Sequence, residues 1–174
     1  MATMFSEIVL TEKQLAAIGS VAVESANLEH LLDLILCRLF RLTSQEAMSV
    51  FDKAMLQRKI ELVSDFGKRR LRSNKRRREF DQIMVDVNNL NGSRISLIHG
   101  IWHSGDPRGT GIVKAAQNIG KAFATGSHLK TPRAPIRAET ARKIALQMSA
   151  ATSKLFKFAL PLWLSKKRRT PKVL

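Results

Sequence analysis

Apolar residues recur at helical spacing along most of this chain, and the places where the register breaks divide it into segments. Leu28, Leu31, Leu32, Ile35 and Leu39 lie in a stretch without Pro, predicting one long helix over residues 11 to 41 with Glu29 on the edge of its apolar stripe. Thr43 followed three residues later by Glu46 matches a capping box, so a short second helix should start there and run to about Phe51. Leu56, Ile60, Val63 and Phe66 mark a third. Phe80, Ile83, Val87, Leu90, Arg94, Leu97 and Ile101 then follow a 3,4,3,4 spacing, predicting a fourth helix from about Lys75 to Trp102. Asn88, Asn89, Asn91, Gly92 and Ser93 are poor helix formers within it, and a turn at Asn91-Gly92 is the alternative. The seam passes through them in register, which favours continuity, and Gly92 would let another helix approach closely.

Residues 104 to 136 hold five of the nine glycines and three of the five prolines, which ends regular helix and makes a long excursion. Residues 111 to 116 and 119 to 125, separated by Gln117-Asn118, suit a small hairpin. Helix returns with Ile144, Met148, Ala151, Leu155, Phe158 and Leu162 until Pro161 bends or stops it. The expected fold is all-α: a bundle of four to five helices forming one domain over residues 1 to 164, followed by a basic tail over 165 to 174.

A chain of 174 residues with 44% hydrophobic and 25% charged residues can bury a core and is not of disordered composition. Its charge is lopsided. Thirty Lys and Arg against fourteen Asp and Glu leave +16, which favours polyanionic partners such as RNA, DNA or anionic lipid. The surplus is concentrated in Lys68, Arg69, Arg70, Arg72, Lys75, Arg76, Arg77 and Arg78, read as a solvated helix junction able to track phosphates, and in Lys166, Lys167, Arg168, Arg169 and Lys172 of the tail. Cys37 is the only cysteine, so no intrachain disulfide or thiolate metal cluster can form, and a reducing cytosol fits best. No secretory leader is apparent, and a cytoplasmic location is expected. The longest apolar stretch, Leu155 to Leu164, is about half a membrane span and contains Lys157 and Pro161, so no membrane association is expected.

Arg94 stands where the seam calls for a Leu. An unpaired buried charge costs several kcal/mol or more, so this guanidinium needs a partner, a watery cleft or an anionic ligand. His99, on a polar stripe with Asn88 and Asn91, could share such a cleft. An Arg that grips a phosphate in two places, beside a His that titrates near neutrality, is sufficient to cleave RNA without metal: the ribose 2′-hydroxyl attacks, His moves protons and Arg stabilises charge on phosphorus. Five helical positions turn about 140°, so a long side chain or a second protomer must close the gap. His99 and His103 also form a His-x-x-x-His pair on one helical face, but no Glu follows His99 and no third ligand is evident, so neither a metal nor any other cofactor is expected. Gly120-Lys121 lacks the rest of a phosphate loop. Trp102 and Trp163 are expected in the core or a dimer interface.

The run from Leu90 to Trp102, Leu-Asn-Gly-Ser-Arg-Ile-Ser-Leu-Ile-His-Gly-Ile-Trp, resembles the signature of the HEPN superfamily, in which an Arg and a following His are separated by four to six residues. The first helix, with Ala26-Asn27-Leu28-Glu29 leading into its leucines, is similar to the opening helix of many such domains. The resemblance implies an all-helical, usually dimeric domain acting as a metal-independent ribonuclease, with Arg94 binding phosphate and His99 as acid-base residue. Relatives include toxins, phage-defence and RNA-surveillance components, some working with an antitoxin or nucleotidyltransferase partner, and others are non-catalytic RNA binders. The residue after the Arg is commonly polar, often Asn, whereas here it is Ile95. Ser96 or Asn91 would then substitute, Glu29 would orient Arg94, or the chain would be an inactive RNA- or DNA-binding relative. A third possibility is a subunit whose charge serves recognition by an acidic antitoxin.

Overall fold

The structure, a computed structural model, describes residues 11–51, 53–98, 102–103, 112–114 and 133–164. Among the described residues five α-helices form, as the periodicity predicts: α1 Glu12–Phe40, α2 Ser44–Phe51, α3 Leu56–Arg70, α4 Asn74–Ile98 and α5 Ala138–Ala159. After Ala159 the backbone widens into a π-helical turn, Leu160–Leu164, that contains Pro161. Pro161 has no N–H to continue an α-helical ladder, which accounts for the change of winding at that point.

Local chemistry sets the helix ends. Thr11 and Gln14 cap the start of α1 reciprocally: the Thr11 N–H donates to Gln14 Oε1 at 2.8 Å, and the Gln14 N–H donates to Thr11 Oγ1 at 3.3 Å. At its other end Arg41 adopts φ 60°, and the Leu42 N–H donates back to the Cys37 carbonyl at 2.9 Å, the 6→1 bond of a Schellman ending. The Thr43 capping box forms as expected, with the Thr43 N–H donating to Glu46 Oε2 at 2.6 Å and the Glu46 N–H to Thr43 Oγ1 at 3.2 Å.

The chain divides into two compact units, one made of Met1–Glu24 and Gly92–Gln147 and the other of Ser25–Asn91 and Met148–Leu174. In the second, Leu28, Leu32, Ile35, Leu36, Val63, Phe80, Val87, Met148 and Leu155 are essentially inaccessible. Phe80 stacks on Phe158 with centroids 5.5 Å apart and meets Trp163 edge-on at 5.6 Å, while Phe40 packs edge-on against Phe66 at 4.6 Å. Gly67 is where backbone and ring approach closely: a Cβ there would lie 2.7 Å from Phe80 Cζ and 3.2 Å from Trp163 Cη2. Gly92 does not serve the close approach expected of it. It is exposed, and a Cβ would meet nothing within 4 Å.

In the first unit Ala17, Val21, Leu97, Ala141 and Ala145 are buried, and a small antiparallel sheet is built from β1 Trp102–His103, β2 Ile112–Lys114 and β3 Arg133–Ile136 in the order β1-β2-β3. This corrects two expectations. Trp102 lies on a strand rather than on α4, whose described span ends at Ile98, so His103 is not on a helical face with His99. Ile112–Lys114 pairs with Trp102–His103 and with Arg133–Ile136 rather than with residues 119 to 125, which lie outside the described residues. Between the pairs Ile112↔Ile136 and Lys114↔Arg133 the β3 side carries one extra residue, a bulge beside Pro135, which cannot donate to the ladder.

Candidate functional site

Helix α4 stays continuous through Asn88–Ser93 because tertiary contacts offset their poor propensity. Asn88 and Asn91 lie one turn apart, and Gln57 of α3 bonds to both: its Nε2 donates to Asn88 Oδ1 at 3.1 Å, and its Oε1 accepts from Asn91 Nδ2 at 2.9 Å. Asn91 is completely buried, so it belongs to the core face rather than to the polar stripe expected for it, and its Oδ1 has no hydrogen-bond partner among the described residues. One turn further on, Arg94 is half-buried, followed by half-buried Ile95 and Ser96 and fully buried Leu97. Among the described residues the Arg94 guanidinium makes no ion pair or hydrogen bond, and its Nε is buried without an acceptor. His99 lies outside the described residues.

A second cation in a hydrophobic register shows how this fold treats a buried charge when it supplies the partner. Lys59 occupies the α3 seam between Leu56 and Val63 and is only 3% exposed. Its Nζ lies 2.9 Å from Glu29 Oε1 and 2.9 Å from both carboxylate oxygens of Asp33. Glu29 and Asp33 are one turn apart on α1, so both reach the same ammonium. Burial alone would lower the Lys59 pKa, but the hydrogen bonds and charges of the two carboxylates outweigh it, and the net direction is upward. The periodicity argument that singled out Arg94 applies equally to Lys59, which it missed. The signal was in the sequence: a Lys spaced 3 and 4 from buried aliphatics, and two acids spaced i, i+4 on another helix.

Glu29 holds Lys59, and Asn91 holds Gln57, while Arg94 has no described partner.

The basic run lies at a helix junction, as expected. Lys68, Arg69 and Arg70 form the last turn of α3, and Lys75 through Arg78 the first turn of α4, leaving only Leu71–Ser73 between the helices. Leu71 is buried and its N–H donates to the Lys68 carbonyl, which holds the reversal tight. The eight cations do not behave alike. Lys68 pairs with Asp81 at 2.7 Å, and Arg69 lies over the Phe66 ring at 5.6 Å. Arg70 Nη2 donates to the Leu39 carbonyl in the last turn of α1 at 2.9 Å, and Arg77 Nε donates to the Leu71 carbonyl at 2.8 Å. Arg72, Lys75, Arg76 and Arg78 are exposed. The first turn of α4 contains no acidic residue, so its cations crowd the end of the helix that the dipole already makes positive. The tail cations Lys166, Lys167, Arg168 and Arg169 lie outside the described residues.

Between α3 and α4 runs a groove of about 490 Å³ lined by Arg58, Glu61, Asp65, Asp81, Val85 and Asn88 among others, in which Glu61 pairs with Arg58 and Asp81 with Lys68. No helix among the described residues is long and apolar enough to cross a membrane. Comparison with protein-family models, with curated proteins and with solved structures finds no match for this chain.

Proposed function

We propose that this chain is a HEPN-type RNA-binding protein that cleaves RNA without metal, using Arg94 to hold the phosphate and His99 to move protons. The observation that carries the reading is the contrast between its two seam cations. Lys59 is neutralised by two carboxylates, whereas Arg94, with Nε buried and no acceptor, has no anion among the described residues. A guanidinium left in that state is matched by a ligand with oxygens to accept its fork, and phosphate fits that geometry. The exposed cations of the α3–α4 reversal supply sequence-independent affinity for the same polyanion. In the proposed step the 2′-hydroxyl gives its proton to His99 and attacks phosphorus. The 5′-oxygen leaves as a hydroxyl, taking its proton from the imidazolium, and Arg94 stabilises the pentavalent oxygens, giving a 2′,3′-cyclic phosphate and a 5′-hydroxyl end. The same reading expects a cytoplasmic homodimer, whose mass light scattering reads directly.

Incubating the purified chain with RNA in EDTA tests the proposal. Cyclic-phosphate ends that vanish in His99→Ala and Arg94→Met support it. A second reading, a non-catalytic RNA binder, is favoured by the engagement of Glu29, one of the groups expected to support Arg94, with Lys59 instead. RNA binding with no cleavage under any of these conditions would select it.

A further inference from the structure

The eight cations at the α3–α4 reversal divide by what their side chains touch, and the geometry points to a division of labour: Arg72, Lys75, Arg76 and Arg78 contact phosphates, whereas Arg70 and Arg77 are positioning residues that hold the reversal in place. This assignment rests on the nucleic-acid reading above and specifies which residues carry it. Arg70 and Arg77 each donate to a main-chain carbonyl, Leu39 at 2.9 Å and Leu71 at 2.8 Å, and both bonds are partly buried. The first ties the end of α3 to the end of α1, and the second ties the first turn of α4 to the junction. Buried Leu71 anchors the junction from the inside. Lys68 is neutralised by Asp81, and Arg69 is laid on Phe66. What remains is four exposed cations within seven residues, without an ion pair or hydrogen bond among the described residues, displayed from a backbone that is tied at both ends. Such an array neutralises a phosphate backbone at low ordering cost, because the entropy of fixing the reversal has already been spent on folding.

The test measures binding of a labelled RNA duplex against salt concentration by anisotropy, in the full chain carrying His99→Ala so that the probe survives. Each phosphate contact contributes about 0.9 to the slope of log affinity on log salt. Arg72→Gln, Lys75→Gln, Arg76→Gln and Arg78→Gln should each flatten the line by close to that amount and weaken binding about eightfold at about 0.1 M salt. The fourfold variant should lose about 3.6 in slope with its melting temperature unchanged. Arg70→Met and Arg77→Met should instead displace the line downward, parallel to the original, with a lower melting temperature, and Arg77→Lys should restore it. If the fourfold variant keeps its slope, the phosphate assignment is wrong although the chain binds RNA. If Arg70→Met and Arg77→Met leave affinity untouched while lowering the melting temperature, or flatten the slope like the others, they are not positioning residues. If the parent chain shows no salt-dependent binding, the nucleic-acid reading itself fails and takes this assignment with it.

Discussion

Two cations, Lys59 and Arg94, occupy positions that the helical seams reserve for aliphatic side chains, and they should respond oppositely to removal. Glu29→Gln combined with Asp33→Asn leaves an ammonium that is 3% exposed without a counter-charge, which should cost about 3 kcal/mol or more in urea unfolding. Lys59→Met leaves two carboxylates that still reach water, at 38% and 35% side-chain exposure, so its cost should be smaller, about 1–3 kcal/mol. The raised Lys59 pKa sets the pH dependence: its contribution is complete below the unfolded value near 10.4 and is lost as pH climbs through the higher folded value. The stability gap between the parent and Lys59→Met should therefore close above about pH 10.5. A gap that persists undiminished well above that pH would show that the ammonium is not what the pair depends on. Arg94→Leu should do the reverse of Lys59→Met, holding or raising stability by about 1 kcal/mol because it removes a buried donor that has no acceptor. Loss of several kcal/mol in Arg94→Leu would reveal a structural partner and remove the reason to invoke a ligand.

At the scale of elements, two glycines make a contrasting pair. Gly67→Ala drives a methyl to 2.7 Å from Phe80, a ring held between Phe158 and Trp163, and should cost about 1–3 kcal/mol. Gly92→Ala fills open space on an exposed helical turn and should stabilise by about 0.5–1 kcal/mol. Denaturant midpoints for the two variants should move in opposite directions, and a shared direction would contradict the packing described here. Much of the helical layout was legible because its signals are local. Thr43 and Glu46 announce α2 from within one turn, and Pro161 marks the end of regular α-helix from its own chemistry. The roles of the glycines were not legible, since only the folded chain brings Phe80 against Gly67, thirteen positions earlier. The end of α4 was hidden for a related reason: Ile101 continues the seam, and what claims Trp102 and His103 is a pairing with residues 112–114 that no periodicity reveals. Asn91 was placed on the wrong face because its burial depends on Gln57, a polar residue of another helix.

For the whole molecule, charge is the dominant feature, and its distribution matters more than its sum. A surplus of +16 would give general attraction to any polyanion, but the α3–α4 reversal concentrates four exposed cations within seven residues. Binding to RNA should accordingly fall steeply with salt. The candidate site was only partly legible in the sequence. Arg94 stood out because one charge in an apolar seam is conspicuous, and its lack of a described partner keeps it a candidate, while the engagement of Glu29 with Lys59 depended on a core cation that the same argument overlooked. The most direct test of the central claim is the chemistry of the product ends when the purified chain meets RNA in EDTA. The account predicts 2′,3′-cyclic phosphates produced by the parent chain and by Gly92→Ala, and lost in Arg94→Met and His99→Ala with RNA binding retained. Intact RNA with the parent chain, or cleavage that persists undiminished in Arg94→Met, would contradict it.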